Sequence, residues 1–170
     1  LTGVSAALSF DKNSGLHWLW GINGSVESPE FEINDTGRLQ SADDIEASSY
    51  LMYRETMPSE LLHSWTVGLS QTAGWNFGGM HRYTSINFEL MSTFKNFWTS
   101  ALDISFAGRG NSDELTRGGP SMTAGAGWHY YWSIHNNYAE DFRWDAGISG
   151  FSDETGSWNV VFDGSFSLRA

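Results

Sequence analysis

The chain has 170 residues, of which 20 are acidic and 9 are Lys or Arg, so its formal net charge at pH 7 is -11. This composition cannot build a basic surface that neutralises phosphates, which argues against a nucleic-acid partner. The sequence contains no Cys, and no apolar run approaches about 18 residues. Disulfides, thiolate metal sites and a transmembrane helix are therefore excluded.

Apolar and polar side chains alternate in most of the chain. The alternation runs from Val4 to Phe10, for example, and without interruption from Met122 to Ile134. A period of two indicates a β-strand whose two faces meet different surroundings. The strands exceed the usual five or six residues and match the roughly 9–11 tilted residues that cross a bilayer. Nine strands are predicted, at approximately 3–12, 15–25, 43–55, 63–75, 81–94, 97–107, 121–135, 142–151 and 157–169.

The connections between these strands differ in length. Short turns are predicted at Lys12–Gly15, Lys95–Asn96 and Asp153–Gly156, with residues typical of antiparallel hairpins. Two connections are long, Val26–Ala42 and Gly108–Pro120, and both follow even-numbered strands. In an up-and-down meander they therefore leave the sheet at the same end, opposite the turns at Asn13 and Asn96. Long loops at one end are typical of outer-membrane barrels, although the short Asp153–Gly156 turn shares that end.

These patterns predict an all-β fold: an antiparallel up-and-down meander that forms all or part of an outer-membrane β-barrel, as one region over residues 1–170. The polar stripe holds Ser, Thr, Gly and Asn in place of the dense Lys and Glu of a solvated surface. The alternation predicts that Leu8, Trp20, Leu69, Phe88, Leu102, Trp132 and Phe162 lie on the opposite face of the sheet from Ser9, Gly21, Ser70, Glu89, Asp103, His129 and Asp163.

Aromatic side chains make up 15% of the chain, and several Trp residues lie near predicted strand ends, where an interfacial girdle needs them. We predict that they contact membrane lipid in the outer membrane of a Gram-negative bacterium. The lipid-facing or girdle residues are Trp18, Trp20, Trp98, Trp128, Tyr130, Trp132 and Trp144. The alternative is a soluble carbohydrate-binding β-domain in which Trp128, Tyr130 and Trp132 form a sugar-stacking platform.

The sequence shows no pattern that indicates catalysis. His129 and His135 share a predicted strand but lie about 20 Å apart, too far for one metal ion. The carboxylate pairs Asp43–Asp44 and Glu140–Asp141 are adjacent, whereas a glycosidase needs two carboxylates that face each other across a cleft. We therefore predict that the chain is not an enzyme and has no catalytic, metal or cofactor site.

The long connections are the strongest candidates for function. In the Val26–Ala42 loop, turn-forming residues alternate with apolar ones that are able to fold inward. Such a loop either plugs a lumen or forms a binding surface, and a self-packed cap is the alternative. Arg117 in the second loop is able to pair with Asp35 or with a ligand carboxylate, and the sequence leaves both open. The candidate residues are Phe31, Asn34, Asp35, Arg38 and Arg117.

Four motifs lie in or beside these connections and resemble one known family. They are Ser28-Pro-Glu-Phe-Glu-Ile-Asn-Asp-Thr-Gly-Arg-Leu39 followed by Ala42-Asp43, Trp75-Asn-Phe-Gly-Gly79, Phe94-Lys-Asn-Phe-Trp98 and Leu115-Thr-Arg-Gly-Gly-Pro120. Together they resemble the C-terminal β-barrel region of the DUF5916 family, from about Leu16 to Pro120. The resemblance implies a barrel with a transport, anchoring or docking role. It also implies a link to glycan handling, since such proteins often carry an N-terminal domain similar to family 9 carbohydrate-binding modules.

The chain lacks a segment of that carbohydrate-module type and is shorter than the family's barrel. We therefore expect an internal portion of a longer barrel, with other parts of the same protein or another chain completing it. Edges are predicted at Val4–Phe10 and Val160–Leu168, which run in the same direction in a nine-strand meander. The alternative is a count one strand too high, in which eight strands close a small complete barrel.

Overall fold

The computed structural model describes residues 3–31, 43–112 and 121–169. Eleven β-strands and no helix occur in these ranges. The strands are β1 Ser5–Lys12, β2 Trp18–Glu27, β3 Asp44–Glu55, β4 Leu62–Trp75, β5 His81–Phe94, β6 Thr99–Ala107, β7 Gly110–Ser112, β8 Met122–Ala124, β9 Gly127–His135, β10 Phe142–Asp153 and β11 Trp158–Leu168.

Nine strands form one sheet in the order β1-β2-β3-β4-β5-β6-β9-β10-β11, with antiparallel pairing between all neighbours. This confirms the predicted antiparallel meander. Within the described ranges β1 pairs only with β2 and β11 only with β10, so the sheet is open and does not close into a barrel. The first and last strands do not pair with each other, as predicted from the strand count.

The prediction of one strand over residues 121–135 is wrong. Strand β8 ends at Ala124, pairs with β7 in a separate two-stranded sheet, and is followed by β9 from Gly127. Between them the backbone meets the β10–β11 turn, where Glu154 N donates to the Ala126 carbonyl at 3.0 Å. A Cβ at Gly125 would lie 2.9 Å from Glu154 Oε1, so the Glu154 side chain packs closely against this segment. The strand β7, inside the long connection Gly108–Pro120, was not predicted.

The register of the sheet confirms the predicted separation of its faces. Residues directly opposite each other on paired strands lie on the same face, and within one strand every second residue does. These two rules assign each residue to a face, strand by strand, from β1 to β11. We call the first side the apolar face; it carries Leu8, Trp20, Leu51, Leu69, Phe88, Leu102, Trp132, Ile148 and Phe162. The second is the polar face; it carries Ser9, Gly21, Ser70, Glu89, Asp103, His129 and Asp163.

The two ends of the sheet differ as predicted. Strand β2 ends at Glu27 and β6 ends at Ala107, and both strands run in the same direction. The two long connections therefore leave from one end, which we call the loop end. The turns after Lys12 and Phe94 lie at the opposite end, which we call the turn end.

The sheet has no hydrophobic core of its own. Among the described residues no apolar side chain is buried, and Phe162 and Phe166 are each 77% exposed. A single layer with an uncovered apolar face leaves most of its hydrophobic free energy unrealised in water. The packing of the described residues therefore leaves the apolar face largely exposed.

Candidate functional site

Aromatic rings on the apolar face form a row at the turn end. The Tyr53 ring lies 5.0 Å from Trp18 and 5.1 Å from Trp65, and farther along the sheet Trp98 meets Trp144 at 5.1 Å. The Tyr53 contacts join neighbouring strands, and the Trp98–Trp144 contact reaches from the start of β6 to β10, past the end of β9. We call these five residues the turn-end row.

A second row crosses the apolar face at the loop end. Trp75 contacts the ring of His81 at 6.0 Å, and Phe106 contacts Trp128 at 4.7 Å. Trp158 lies beyond them, opposite Ser152, which is itself opposite Trp128. These five residues form the loop-end row.

The spacing between the two rows has the dimension of a bilayer core. Trp65 and Trp75 are ten residues apart in β4, while Trp98 and Phe106 are eight apart along β6. At about 3.3 Å per residue these intervals are roughly 26–33 Å along the strands, which at the tilt of about 40° of membrane barrels would correspond to a height of roughly 20–25 Å. An outer-membrane barrel carries an apolar band about 25 Å tall between two aromatic girdles.

The structure places each predicted lipid-facing residue on the apolar face. Three of them belong to the turn-end row, one belongs to the loop-end row, and three lie between the rows. In that order they are Trp18, Trp98 and Trp144; then Trp128; then Trp20, Tyr130 and Trp132. Their contact with lipid remains a prediction.

Polar side chains on the apolar face hydrogen-bond to one another. Gln71 Nε2 donates to Ser49 Oγ at 3.1 Å, across the β3–β4 pair. Trp132 Nε1 donates to Ser100 Oγ at 3.0 Å, across the β6–β9 pair. This pairing lowers the cost of placing polar groups in an apolar environment, because each donor has an acceptor within the sheet.

Charges in the strands are concentrated on the polar face. On the apolar face of the described strands they occur at strand ends, where Lys12 ends β1 and Glu55 ends β3. Arg82 lies at the register shift near the start of β5 and pairs with Asp44. The charged residues of the polar face are Asp11, Glu27, Asp44, Glu46, Arg54, Glu89, Asp103, Arg143, Asp145, Asp153 and Asp163. Acidic groups predominate, so this face presents a negative surface suited to contact with water.

Side chains on the polar face bond to their neighbours. Ser9 Oγ lies within hydrogen-bond distance of Asp11 Oδ2 and of Asn23 Oδ1, the latter at 2.6 Å, and donates its one proton to either of them. Ser165 Oγ donates to Asp145 Oδ1. Asn87 Nδ2 donates to Glu89 Oε1 at 3.0 Å. These carboxylates are therefore hydrogen-bonded to neighbouring side chains within the sheet. No group of three or more metal-ligating side chains is present in the described ranges.

Glycine on the polar face accommodates a tyrosine from the neighbouring strand. Tyr83 lies directly across from Gly74, and its hydroxyl donates to Glu46 Oε2 at 2.6 Å. A Cβ at Gly74 would lie 2.5 Å from the Tyr83 ring, so any larger residue displaces that ring. The same arrangement recurs at Gly21, which is covered by Tyr50.

Replacing Gly74 with Ala is expected to destabilise the folded sheet by about 1–3 kcal/mol, because the new methyl overpacks against Tyr83 and disturbs its bond to Glu46. Gly68→Ala is the matched control on the same strand and face. Its Cβ would meet only two atoms at 3.9 Å, so the change is neutral or slightly stabilising. Denaturant unfolding of both variants measures the difference, and equal stabilities would contradict the packing role of Gly74.

The loop end is held together by ion pairs and backbone contacts. Arg82 Nη1 lies 3.2 Å from Asp44 Oδ1, and the side chains are 10% and 25% exposed respectively. A Cβ at Gly110 would lie within contact distance of the Arg82 backbone. Asn111 Nδ2 donates to the His81 carbonyl at 3.1 Å. The start of β5 thus contacts Asp44, which follows the first long connection, and Gly110 and Asn111, which begin the second.

Of the loop residues predicted to carry function, Phe31 is described and its backbone N donates to the Ser28 carbonyl at 2.9 Å. Asn34, Asp35, Arg38 and Arg117 lie outside the described residues. The predicted pairing of Arg117 with Asp35 therefore stays a prediction. Sequence reasoning missed Arg82, and no local signal identifies it, because its partner Asp44 is 38 residues away.

The turn between β10 and β11 is closed by Asp153. Its Oδ1 accepts hydrogen bonds from Thr155 Oγ1 at 2.6 Å and from the backbone N of Thr155 and Ser157, each at 2.9 Å. These bonds, the one from the Thr155 side chain first, lower the pKa of the Asp153 carboxyl. Their contribution to stability is present above the ordinary Asp pKa of about 3.9 and is lost as the pH falls through the lowered value.

Asn136 closes the connection between β9 and β10 and is 2% exposed. Its Oδ1 accepts from Trp144 N at 2.8 Å, and its Nδ2 donates to the Phe142 carbonyl at 2.7 Å. The Asn136 side chain therefore hydrogen-bonds the Phe142 carbonyl and the Trp144 N–H at the start of β10. A neighbouring strand would otherwise supply such partners through its backbone. From the sequence, Asn136 is predicted only to lie in a turn, and its burial and hydrogen bonds are not predicted.

Asn136→Ala is expected to cost about 1–3 kcal/mol of unfolding free energy, since it leaves a part-buried backbone donor and a part-buried carbonyl without their side-chain partner. Asn137→Ala is the control: its Oδ1 accepts one hydrogen bond, from Ala139 N, in an exposed turn. The control should cost at most about 1 kcal/mol. If hydrogen exchange at Trp144 were equally slow in both variants, the role of Asn136 would be wrong.

The fold defines a class: an antiparallel meander of nine strands in one open sheet, with one apolar and one polar face. Among the described residues no helix is long and apolar enough to cross a membrane. The chain belongs to the family described as "Domain of unknown function (DUF5916)", which it matches over residues 1–169. This confirms the resemblance found in the loop motifs and extends it to nearly the whole chain. No curated protein and no solved structure matches the chain.

Proposed function

We propose that the chain forms part of the wall of an outer-membrane β-barrel in a Gram-negative bacterium, with its apolar face toward lipid. The observation that carries this proposal is the pair of aromatic rows on one face, eight to ten residues apart along the strands. At the tilt of about 40° typical of membrane barrels, this interval corresponds to a height of roughly 20–25 Å. A soluble sheet has no requirement for rings at two fixed heights. A membrane protein does place rings at two heights, because Trp and Tyr favour the two interfaces of the bilayer.

The polar face would then line an aqueous lumen. Its strand-interior carboxylates, such as Glu89 and Asp103 in directly opposite positions, are tolerated where water reaches them. We propose a transport, anchoring or docking role for this wall, and the family resemblance connects it with glycan handling. In this proposal the chain acts by binding and positioning and is not an enzyme.

The alternative is a soluble carbohydrate-binding domain that uses Trp128, Tyr130 and Trp132 as a stacking platform. These residues share the apolar face, and Trp128 and Trp132 are 51% and 39% exposed. However, Trp128 packs on Phe106, and the apolar face extends across all nine strands to Leu8 and Phe162. A face of this extent favours lipid over a sugar, which covers only a few rings.

The experiment uses single cysteines in a chain that has none of its own. Leu102→Cys and Asp103→Cys are adjacent in β6 and point to opposite faces. In intact outer membranes a water-soluble maleimide should label the Asp103→Cys variant and leave the Leu102→Cys variant unlabelled until detergent dissolves the membrane. Equal labelling of both variants, with the protein in the soluble fraction after a carbonate wash, would overturn the proposal and favour the soluble domain.

A further inference from the structure

A groove lies on the polar face where β4 carries a glycine between two larger side chains. Gly68 is directly opposite Met52 on one side and Glu89 on the other. A Cβ at Gly68 would meet only Met52 Cε and Glu89 Cβ, each at 3.9 Å, so these side chains stand apart over the glycine. The groove has a volume of about 160 Å³, and Tyr50 and Ser70 also line it.

The space over Gly68 is open, unlike the space over two other glycines of the same face. The ring of Tyr83 covers Gly74, and the ring of Tyr50 covers Gly21. No aromatic ring approaches the Cβ position of Gly68 within 4 Å. The sheet therefore fills two of these positions with its own tyrosines and leaves the third accessible to a ligand.

One wall of the groove is acidic. Glu89 is directly opposite Asp103 in β6, so two carboxylates lie side by side on the polar face. Neither carboxylate has an ion-pair partner within residues 3–31, 43–112 and 121–169. Asn87 Nδ2 donates to Glu89 Oε1 at 3.0 Å and so orients this carboxylate. Two adjacent carboxylates favour a cation that also donates hydrogen bonds.

The two arginines of the polar face do not neutralise this wall. Arg54 Nη2 donates to the Gly15 carbonyl at 2.7 Å, so its guanidinium is directed toward the β1–β2 turn. Arg143 lies in β10, three strands away from β5 in the sheet. A cation that binds beside Glu89 therefore comes from outside the part of the chain that the structure describes.

The opposite wall is apolar. Met52 directs its terminal methyl group toward Gly68, and a thioether side chain adapts its shape to alkyl groups. Met52 and Glu89 are two strand spacings apart, about 10 Å between their backbones, which leaves room for one alkyl chain over the glycine. A ligand with a cationic head and a short apolar chain satisfies both walls, whereas an inorganic ion contacts only the acidic one.

We propose that this groove binds a small primary alkylammonium ion. The ammonium group lies at Glu89 and Asp103, and the alkyl chain lies over Gly68 against Met52. An ammonium group carries N–H donors and no acceptor, which matches a wall of carboxylate oxygens. The proposal goes beyond the barrel-wall role, because it assigns a ligand class to the polar face. It requires only that water reaches this face, and it does not depend on what covers the apolar face.

The test measures protection of a cysteine in the groove of the full-length protein in its native outer membrane, in a background without other cysteines. Ser70→Cys is the reporter, and Ser167→Cys, in β11 on the same face, is the control position. The rate of modification by a neutral maleimide is measured against the concentration of n-butylammonium. Sodium ion and uncharged 1-butanol are the control solutes. We expect saturable protection of Ser70→Cys by n-butylammonium alone, and none of Ser167→Cys.

Three variants of the reporter protein separate the two walls. Glu89→Gln keeps the side-chain volume and removes the charge, and we expect the half-protecting concentration to rise about tenfold or more. Gly68→Val fills the groove and Met52→Ser removes its apolar wall; both keep the carboxylates, and both should weaken protection, so the second decides if the first does not fold. Asp163→Asn is the control, because that carboxylate covers Gly147 away from the groove and its loss should change nothing.

Four outcomes would overturn the proposal. They are a Ser70→Cys reporter that the maleimide does not reach, equal protection by sodium ion, equal protection by 1-butanol, and undiminished protection in the Glu89→Gln variant. The second would show a general attraction for cations, and the third an apolar cleft without charge recognition. Labelling of the Leu102→Cys variant reports the contact with lipid separately, so failure of the ligand site and failure of the membrane location are distinguishable.

Discussion

Leu102→Arg is expected to destabilise the protein in lipid by about 2–4 kcal/mol, the cost of an Arg on the lipid face near the bilayer midplane. Leu102 lies in β6, four residues from both Trp98 and Phe106, which mark the two aromatic rows. It is therefore at mid-height on the apolar face, where an Arg side chain has the longest distance to reach either interface. Reversible urea unfolding in lipid vesicles measures this cost.

The matched control is Asp103→Arg, one residue along the same strand and on the polar face. It introduces the same side chain at nearly the same height, beside Glu89 in the directly opposite position. We expect this variant to fold with wild-type stability or slightly above it, because the cation meets a carboxylate in a hydrated setting. If the two Arg variants unfolded at the same urea concentration, the assignment of the faces to lipid and water would be wrong.

Arg82→Met is the second large effect, with an expected loss of about 3 kcal/mol. The guanidinium of Arg82 is nearly buried, and its removal leaves the Asp44 carboxylate without this cation at the start of β3. Breaking a buried ion pair costs roughly 3–5 kcal/mol, and the partial exposure of Asp44 places this pair at the lower end. Denaturant unfolding reports the loss, and proteolysis is expected to increase first at the stems of the two long connections.

Arg109→Met is the control for this variant. Arg109 Nε lies only 2.6 Å from Glu154 Oε2 at the same end of the sheet, but its side chain is 71% exposed. Exposed pairs contribute about 0–1 kcal/mol, so the shorter ion pair is expected to matter less. The double variant Arg82→Met with Asp44→Leu should recover most of the lost stability. Equal losses for Arg82→Met and Arg109→Met would contradict a structural role for the buried pair.

The sheet faces were predictable from the sequence because the period of a strand is two. In β1, Leu8 and Ser9 lie on opposite faces because they are adjacent. The same alternation within each other strand separates its apolar side chains from its polar ones. The positions of the two long connections were also predictable, since strand parity alone determines the end from which each one leaves. The aromatic rows were predicted only as a tendency of Trp toward strand ends, since their alignment depends on the register between strands.

Other features depend on contacts that the local sequence does not encode. The alternation continues through Gly125 and Ala126, and the break there arises from contact with Glu154 in a distant turn. The ion pair of Arg82 and Asp44 depends on the placement of β3 beside the loop end of β5. Asn136 was likewise not identified, because Asn is common in turns and its burial appears only when β10 lies beside it.

The most direct test of the central claim is a spin-label accessibility scan along β6, from Thr99 to Ala107, in lipid vesicles. Each residue is replaced in turn by a labelled cysteine, and its collisions with oxygen and with a water-soluble nickel chelate are measured. We predict a period of two: oxygen contact is highest at Ser100, Leu102, Ile104 and Phe106, and chelate contact is highest at the residues between them. Accessibility to the chelate that is equal on both faces would contradict the claim that the apolar face contacts lipid.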